Sequence, residues 1–207
     1  MKNIYTTSDK NIANVRNLEL NSFEYLDFEI DFKQYDGLIF TSRHAINALN
    51  RRRNDWINIP SYAIGNSTAQ MLTKSKSNLK FTSKKSYGDD FAREIQESTK
   101  NKKLLYIRGE KVASNLNEIL KCDEVIVYKN KCKEVKELQS LPKNSFVIFT
   151  SPLLVECFFK HYLWSESLSA IAIGNTTAKA FPNHITPQIA KTPSMESCLE
   201  IIYSHSN

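Results

Sequence analysis

Residues 39–42, Ile-Phe-Thr-Ser, and 63–69, Ala-Ile-Gly-Asn-Ser-Thr-Ala, recur 109 residues later as Ile-Phe-Thr-Ser at 148–151 and Ala-Ile-Gly-Asn-Thr-Thr-Ala at 172–178. One ungapped register serves both pairs and gives ten identities over 31 positions. Because the identities are concentrated where an apolar run passes into a helical pattern, chance is a poor explanation for them. The alternative is that α/β proteins in general reuse such turns. We interpret the repeat as the duplication of an α/β unit.

Apolar runs rich in β-branched and aromatic residues alternate with helical patterns along the whole chain. This order predicts βαβ units and parallel sheets. The predicted strands are residues 3–6, 38–41, 61–64, 104–107, 124–128, 146–149 and 170–173. The predicted helices are residues 45–52, 68–74, 90–99, 114–121, 153–162 and 195–203.

The repeat does not include the first strand and helix that a complete domain of this kind needs. The second copy must therefore obtain them from elsewhere in the chain, and residues that precede the first copy are available for this. The N-terminal strand, with a helix predicted after it, can supply the missing start of the second copy. We therefore predict a discontinuous domain of residues 1–30 and 133–207 and an inserted domain of residues 35–124. Residues 25–34 and 125–132 are predicted to cross between them as two linker strands that pair with each other.

Composition restricts the location and the redox state that we expect. The N-terminus has no apolar export segment and no run reaches the 18 apolar residues of a membrane span, so we expect a cytoplasmic protein. The four cysteines form no C-x-x-C pair, which argues against a zinc site, a redox motif or a disulfide framework. We expect all of them to be reduced thiols: Cys122, Cys132, Cys157 and Cys198.

The net charge of +6 suggests an anionic partner, but the lysines are spread widely along the chain, and a solvated lysine-rich surface is the favoured explanation. The densest basic run, Arg51-Arg52-Arg53, has no aromatic residues interleaved with it, unlike single-strand nucleic-acid binders. A polyanionic small molecule is therefore a better candidate than nucleic acid.

Motifs for metals and common cofactors are absent from the sequence. The five glycines form neither a G-x-G-x-x-G nor a P-loop pattern, and the four histidines form no H-E-x-x-H pair. No G-x-S-x-G nucleophile elbow occurs either. We therefore expect no dinucleotide, P-loop or metal site, and a chemistry that relies on positioning and hydrogen bonding.

Two turns of the repeat are candidate anion-binding sites, because each places a glycine after a strand and small polar residues at a helix start. They are Gly65, Asn66, Ser67 and Thr68, and Gly174, Asn175, Thr176 and Thr177. Ser42 and Ser151 end strands in the same way, and Arg108 at a strand end could fork onto a carboxylate. The alternatives are helix capping for the polar residues and a surface ion pair for Arg108.

The ordered motifs resemble those of the uroporphyrinogen-III synthase family over nearly the whole chain. They are residues 38–42, 63–69, 127–128, 149–152, 172–178 and the Thr-Pro at 192–193. The resemblance implies two flavodoxin-like parallel-sheet domains joined by a two-stranded β linker, with a cleft between them. It also implies the activity: hydroxymethylbilane loses its terminal hydroxyl as water and closes into a macrocycle with its last pyrrole ring inverted. The resemblance further implies that no metal and no organic cofactor is needed, which agrees with the missing motifs.

The resemblance also assigns roles to particular residues. The family's tyrosine falls on Tyr128, whose phenol would assist departure of the substrate hydroxyl, and simple aromatic packing is the alternative. The family's hydroxyls would bind the acetate and propionate groups, and they fall on Ser42, Thr68, Ser151, Thr176 and Thr177. The arginine that many members carry after the first strand is missing here, where Thr-Thr-Ser-Asp occupies residues 6–9.

The expected partners are a linear tetrapyrrole and, for a transient hand-over, the enzyme that produces it. We expect a monomer that binds neither nucleic acid nor membrane. Two other functions remain open from the sequence: a non-catalytic two-domain cleft that binds a polyanionic small molecule, and a nucleotide or flavin binder.

Overall fold

The computed structural model describes residues 2–85, 87–112 and 114–204, so His205 lies outside it. The chain divides into two compact units. Unit 1 consists of Met1–Ser22 and Lys131–Asn207, and unit 2 is Phe23–Asn130. One unit is therefore built from two separate parts of the chain and the other from the segment inserted between them.

Strands and helices alternate through the described residues, as the sequence predicts. The strands are β1 Ile4–Thr6, β2 Arg16–Asn17, β3 Asn21–Tyr25, β4 Gly37–Phe40, β5 Ser61–Ile64, β6 Leu79–Ser83, β7 Leu104–Gly109, β8 Asp123–Cys132, β9 Phe146–Phe149, β10 Ser169–Ala172 and β11 Gln188–Ile189. The helices are α1 Arg43–Asn50, α2 Gly65–Lys74, α3 Gly88–Ile95, α4 Leu116–Leu120, α5 Pro152–His161, α6 Asn175–Ala178 and α7 Met195–Ser204.

The two sheets have the same spatial arrangement of parallel strands, although these strands come in a different order along the chain. The sheet of unit 1 is parallel with the order β2-β1-β9-β10-β11, which is the flavodoxin-like order 2-1-3-4-5. The parallel part of the unit 2 sheet has the order β8-β7-β4-β5-β6. Because β4 and β5 are the repeat copies of β9 and β10, β7 and β8 occupy the places of β1 and β2. The predicted duplicated α/β fold is confirmed, with the first two strands of unit 2 supplied by its C-terminal part.

The segment predicted as the first linker strand is placed differently in the structure. The strand beside β8 is β3, which ends at Tyr25, whereas the sequence placed it at residues 25–34. The two segments run antiparallel, since Leu26 N donates to Val127 O at 3.0 Å and Lys133 N donates to Leu20 O at 2.9 Å. The domain and linker boundaries predicted from the sequence otherwise stay a prediction.

The three arginines of the basic run pack against residues 25–32, which are the end of β3 and the segment that follows it. Each arginine of the basic run lies over an aromatic ring of this segment: Arg51 over Tyr25 at 4.3 Å, Arg52 over Phe28 at 5.4 Å and Arg53 over Phe32 at 5.0 Å. Arg53 Nη1 also donates to the carbonyl oxygen of Ile30 at 2.9 Å. The segment therefore packs on the end of α1, and cation–π contacts account for the basic run within unit 2 itself.

The helix predicted after the first strand is not found. Residues 7–15 form turns in which Asn14 has a positive φ of 61° and Ile12 bridges to Val15. A left-handed asparagine suits a tight turn and interrupts a right-handed helix. The chain therefore returns directly to pair β2 with β1.

The expectation of four reduced cysteines is wrong for two of them. Cys132, at the end of β8, forms a disulfide with Cys157 in the middle of α5, with 5.1 Å between their Cα atoms. The pair lies 25 residues apart in the sequence, and the two cysteines meet in the tertiary structure because Cys132 packs against the core cluster that contains Cys157. Cys122 and Cys198 are free thiols, and burial raises the pKa of each to about 11.

Aromatic side chains form much of the core of each unit. In unit 1, Phe149 contacts Phe158 and Phe181 edge to face, with ring centroids 5.1 and 4.8 Å apart. In unit 2, Trp56 is fully buried beside Phe40 and donates its indole N–H to Arg53 O at 3.1 Å. Among the described residues, no helix is both long enough and apolar enough to span a membrane.

Candidate functional site

Each sheet has one point where the strand order reverses along the chain. In open α/β sheets, ligands bind beyond the carboxyl ends of the strands at this point. It lies between β4 and β7 in unit 2 and between β1 and β9 in unit 1. The candidate residues Ser42 and Ser151 lie two residues beyond the ends of β4 and β9, so each unit presents one of them at its reversal point.

A cavity of about 300 Å³ opens at the reversal point of unit 2. Its lining includes Thr41, Ser42, Tyr106, Gly109, Lys111 and Tyr128. The structure thus brings together Ser42 and Tyr128, which are 86 positions apart in the printed sequence. Lys111 supplies the only positive charge among the described lining residues, and Asp89 the only negative one.

The side chain of Tyr128 is half-buried, and its phenol is hydrogen-bonded to Ser42. Burial raises the pKa of Tyr128 above the usual value of 10.0, although the hydrogen bond with Ser42 opposes the rise. The phenol therefore keeps its proton at neutral pH. Ser42 has a second function, because its Oγ caps α1 by accepting a hydrogen bond from His44 N at 3.1 Å.

Two further rings border Tyr128. Phe23 stacks on His44 with 3.5 Å between ring centroids and 14° between planes. The Tyr128 ring lies 5.9 Å from Phe23 and 5.8 Å from His44. Sequence reasoning missed both residues, because neither belongs to a recognised motif and they meet only through β3 and the first turn of α1.

A second phenol lines the same cavity. Tyr106 Oη lies 2.9 Å from Thr41 Oγ1, and burial raises the pKa of Tyr106 to about 12. Thr41 is one of the ten identities of the repeat, and its copy is Thr150. The repeat therefore carried a signal for this position that the sequence analysis did not use.

The corresponding position in unit 1 also pairs hydroxyl groups. Thr150 Oγ1 lies 3.3 Å from Thr7 Oγ1, and Thr150 N donates to Thr7 Oγ1 at 3.1 Å. Ser151 caps α5 by accepting from Leu154 N at 3.4 Å. Ser42 and Ser151 are thus both helix caps that lie beside a hydrogen-bonded threonine.

The side chain of Arg108 is already engaged within the protein. Its Nη2 pairs with Glu124 Oε1 at 2.7 Å, and its Nη1 donates to the carbonyl oxygens of Gly109 and Glu110, each at 3.0 Å. Arg108 also does not belong to the lining of the cavity. The ion pair considered from the sequence is therefore what the structure shows, and we leave Arg108 out of the proposed substrate contacts.

The two glycine turns start helices that no described side chain caps. Their first backbone N–H groups therefore remain available to an anion. Asn66, Asn175 and Thr176 are exposed, Ser67 is half-buried, and Thr68 and Thr177 are buried against their sheets. The copies differ in detail, because Gly65 is the first residue of α2 with φ +71° whereas Gly174 precedes α6 in an extended conformation with φ −179°.

Side-chain clusters of the kind that binds metal ions are absent from the described residues. Across residues 2–85, 87–112 and 114–204, no group of three or more His, Cys, Asp and Glu side chains could hold a metal ion. The polar groups at the two reversal points are mainly hydroxyls, phenols and backbone amides, and Lys111 and Asp89 are the charged residues in the described lining of the unit 2 cavity.

Fold and site together define a duplicated α/β protein whose units each present hydroxyl-bearing turns at the carboxyl edge of a parallel sheet. The family model for uroporphyrinogen-III synthase HemD matches residues 17–200. The chain belongs to the uroporphyrinogen-III synthase family, a family of cyclising lyases, as the motifs predict.

Solved structures show the same relationship. The uroporphyrinogen-III synthetase of Helicobacter pylori 26695 is 30% identical, with a TM-score of 0.82 over 99% of this chain and 100% of its own. A mutant uroporphyrinogen III synthase of the extremely thermophilic bacterium Thermus thermophilus shares the fold, with 11% identity and a TM-score of 0.55 over 99% of this chain and 98% of its own. No curated protein sequence matches the chain.

Proposed function

We propose that this chain converts hydroxymethylbilane into uroporphyrinogen III, with loss of water and inversion of the terminal pyrrole ring. One observation carries the proposal: in a chain of this family, a protonated phenol that is hydrogen-bonded to a serine lines a cavity at the reversal point of a parallel sheet. A phenol in this state can donate a hydrogen bond to a leaving hydroxyl.

Tyr128 is the proposed proton donor. Its raised pKa keeps the phenol neutral, and Ser42 fixes the direction of its oxygen. Tyr128 gives its proton to the substrate hydroxyl, which leaves as water, and the pyrrole carbon that forms the closing bond then loses one proton, which restores the neutral phenol. The balance is the net loss of one water. A donor that stays protonated and correctly placed accelerates such a step by about 10²–10⁴-fold in typical enzymes.

Backbone amides and hydroxyls are the proposed contacts for the substrate carboxylates. The uncapped starts of α2 and α6 offer backbone N–H groups, with the accessible hydroxyls of Ser67 and Thr176 beside them, and the ten-residue α2 adds the positive end of a helix dipole. Several weak contacts of this kind hold a flexible substrate without depending on any single one. Selection of the inverted product needs about 1.4 kcal/mol of differential transition-state stabilisation for each tenfold preference.

The activity is tested by supplying hydroxymethylbilane and separating the porphyrin isomers after oxidation. Isomer III is expected with the protein, and isomer I in the control without it, because the linear substrate closes by itself without inversion. Formation of isomer I alone at every protein concentration would contradict the proposal. Saturable binding without isomer III would then point to a non-catalytic binding protein.

The Tyr128→Phe variant should retain its fold and lose turnover. It removes the phenol oxygen and keeps the ring, so we expect kcat to fall about 100-fold with a much smaller change in KM. Tyr162→Phe is the matched control, because this half-buried tyrosine lies in unit 1 outside the cavity and burial raises its pKa as well. An unchanged kcat for Tyr128→Phe would reduce Tyr128 to a packing residue.

The remaining parts of the proposal concern the surroundings of the reaction. We propose that the protein acts as a monomer in the cytoplasm and receives its substrate in a transient contact with the enzyme that produces it. Such a hand-over would shorten the time during which the free substrate can close to isomer I. A lower yield of isomer I in a coupled assay than with pre-formed substrate would support it.

A further inference from the structure

Gly109 is the last residue of β7, and β8 places Tyr128 beside it in the sheet. The phenol ring lies directly against the glycine. A Cβ atom at position 109 would lie 2.7 Å from Tyr128 Cζ, 2.8 Å from Cε2 and 2.9 Å from Oη. Carbon atoms in favourable contact are about 3.5–4.0 Å apart, so no side chain fits at position 109 while the phenol remains where it is.

The backbone at Gly109 does not itself require glycine. Among the described glycines, only Gly65 has a positive φ, so any residue could adopt the conformation of Gly109. The neighbouring backbone is held in place as well, because Glu110 N donates to the carbonyl oxygen of Tyr128 at 2.9 Å. An added methyl group would therefore displace the phenol ring rather than the strand.

Neighbouring side chains limit where the displaced phenol ring can move. Phe23 and His44 border the phenol, and its oxygen is hydrogen-bonded to Ser42. Relief of a 2.7 Å contact to ordinary separation requires a movement of about 1 Å, which is enough to break that hydrogen bond. A displacement of this size at a reacting group can reduce a rate by about 100-fold.

We propose that Gly109 is a positioning residue for the reaction: its missing side chain, together with the border formed by Phe23, holds the Tyr128 phenol against Ser42 in the orientation that serves the leaving hydroxyl. This inference rests on the proposed function. It extends that function to a residue of the cavity lining whose effect on the reaction is exerted through the position of the phenol.

The test is a double-mutant cycle between Gly109→Ala and Tyr128→Phe, with kcat, KM and the isomer III fraction measured for all four proteins. In the tyrosine background, Gly109→Ala should lower kcat about 10- to 100-fold with KM changed less than about threefold. In the Tyr128→Phe background it should change kcat less than about twofold, since the oxygen to be positioned is gone.

This cycle separates positioning from packing. The Tyr128→Phe ring still meets the added methyl group, because the closest atoms are ring carbons. Any loss of thermal stability should therefore be similar in the two backgrounds, whereas the loss of kcat should appear in only one. Equal losses of kcat in both backgrounds would overturn the proposal.

The isomer analysis distinguishes failure of the proposed function from failure of this inference. Isomer I alone from the unmodified protein would overturn the proposed function and this inference with it, whereas isomer III with equal losses would overturn only this inference. If Gly109→Ala does not fold, Phe23→Leu replaces it in the same cycle, because it loosens the border of the phenol without a collision. It should lower kcat about tenfold only when Tyr128 is present.

Discussion

Loss of the Cys132–Cys157 disulfide should markedly lower the free energy of unfolding of unit 1. The change is made by Cys132→Ser or by adding a reductant to the oxidised protein. Cys132 is only partly buried, so serine fits there with little loss of packing, and Cys157 stays in the aromatic core as a small apolar residue.

The expected magnitude follows from the length of the closed loop. The cysteines are 25 residues apart, and the chain-entropy relation gives about 3.5 kcal/mol for a loop of that size at 25 °C. This is a large share of the roughly 5–15 kcal/mol that is typical of a whole domain. The disulfide links the end of β8 to α5, and α5 carries Ser151 at its start. Its loss should therefore also loosen the position of Ser151.

The chain contains two tryptophans, and one lies in each unit. In a Trp56→Phe background, fluorescence therefore reports the unfolding of unit 1 through Trp164, which contacts Phe158 and Phe159. The free energies of urea unfolding with and without dithiothreitol should differ by about 3.5 kcal/mol in this protein and not at all after Cys132→Ser. Cys122→Ser, which leaves the disulfide intact, is the matched control.

A count of reactive thiols tests whether the Cys132–Cys157 disulfide forms. The unreduced protein, unfolded in guanidinium, should show two reactive thiols, from Cys122 and Cys198. Four thiols after purification under oxidising conditions would show that the pair does not form. An unfolding midpoint that is unchanged by reductant in the disulfide-bonded protein would instead refute the loop-entropy estimate.

Two further matched pairs test the site. Gly65→Ala should destabilise unit 2 by about 1–2 kcal/mol, because the φ of Gly65 is +71°. Gly174→Ala should change the stability of unit 1 by less than about 0.5 kcal/mol, because Gly174 is extended and a Cβ added there would have no atom within 4 Å. Equal effects in urea unfolding would contradict this asymmetry of the two copies. Lys111→Gln should raise KM for hydroxymethylbilane about two- to fivefold, more at low salt, since Lys111 is the only cation among the described cavity residues. Lys129→Gln should leave KM unchanged, because Lys129 lies outside the cavity and pairs with Glu110 at 3.0 Å, and equal KM values for both variants would exclude the contact.

Local patterns in the sequence predicted the strands and helices that immediately flank the site. The strands 61–64 and 146–149 were predicted to the residue, since short apolar runs between turn residues identify buried parallel strands. The short edge strands β2, β6 and β11 were missed, because little apolar surface is buried there and exposed strands lack a strong pattern. The helix α6, four residues long, is too short to show a helical period.

Candidate site residues were predictable to different degrees. Ser42 and Tyr128 came from motifs, and the structure brings both to one cavity. Arg108 looked available in the sequence because its partner, Glu124, lies on the adjacent strand. The proposed role of Gly109 could not be predicted from the sequence either, because it depends on the distance between Gly109 and the ring of Tyr128, which lies 19 positions later in the chain.

The sequence by itself determined the α/β class, the duplication and the family, because apolar periodicity, turn residues and the repeated motifs are local properties of the chain. Only the tertiary structure decided which cysteines pair, that the arginine run packs on residues 25–32, and that Arg108 is engaged while Tyr128 lies in a cavity. The physical reason is the same in each case. Disulfides, cation–π contacts, ion pairs and steric collisions depend on distances of a few ångströms between residues that are remote in the chain, and those distances are set by the register and packing of whole strands and helices.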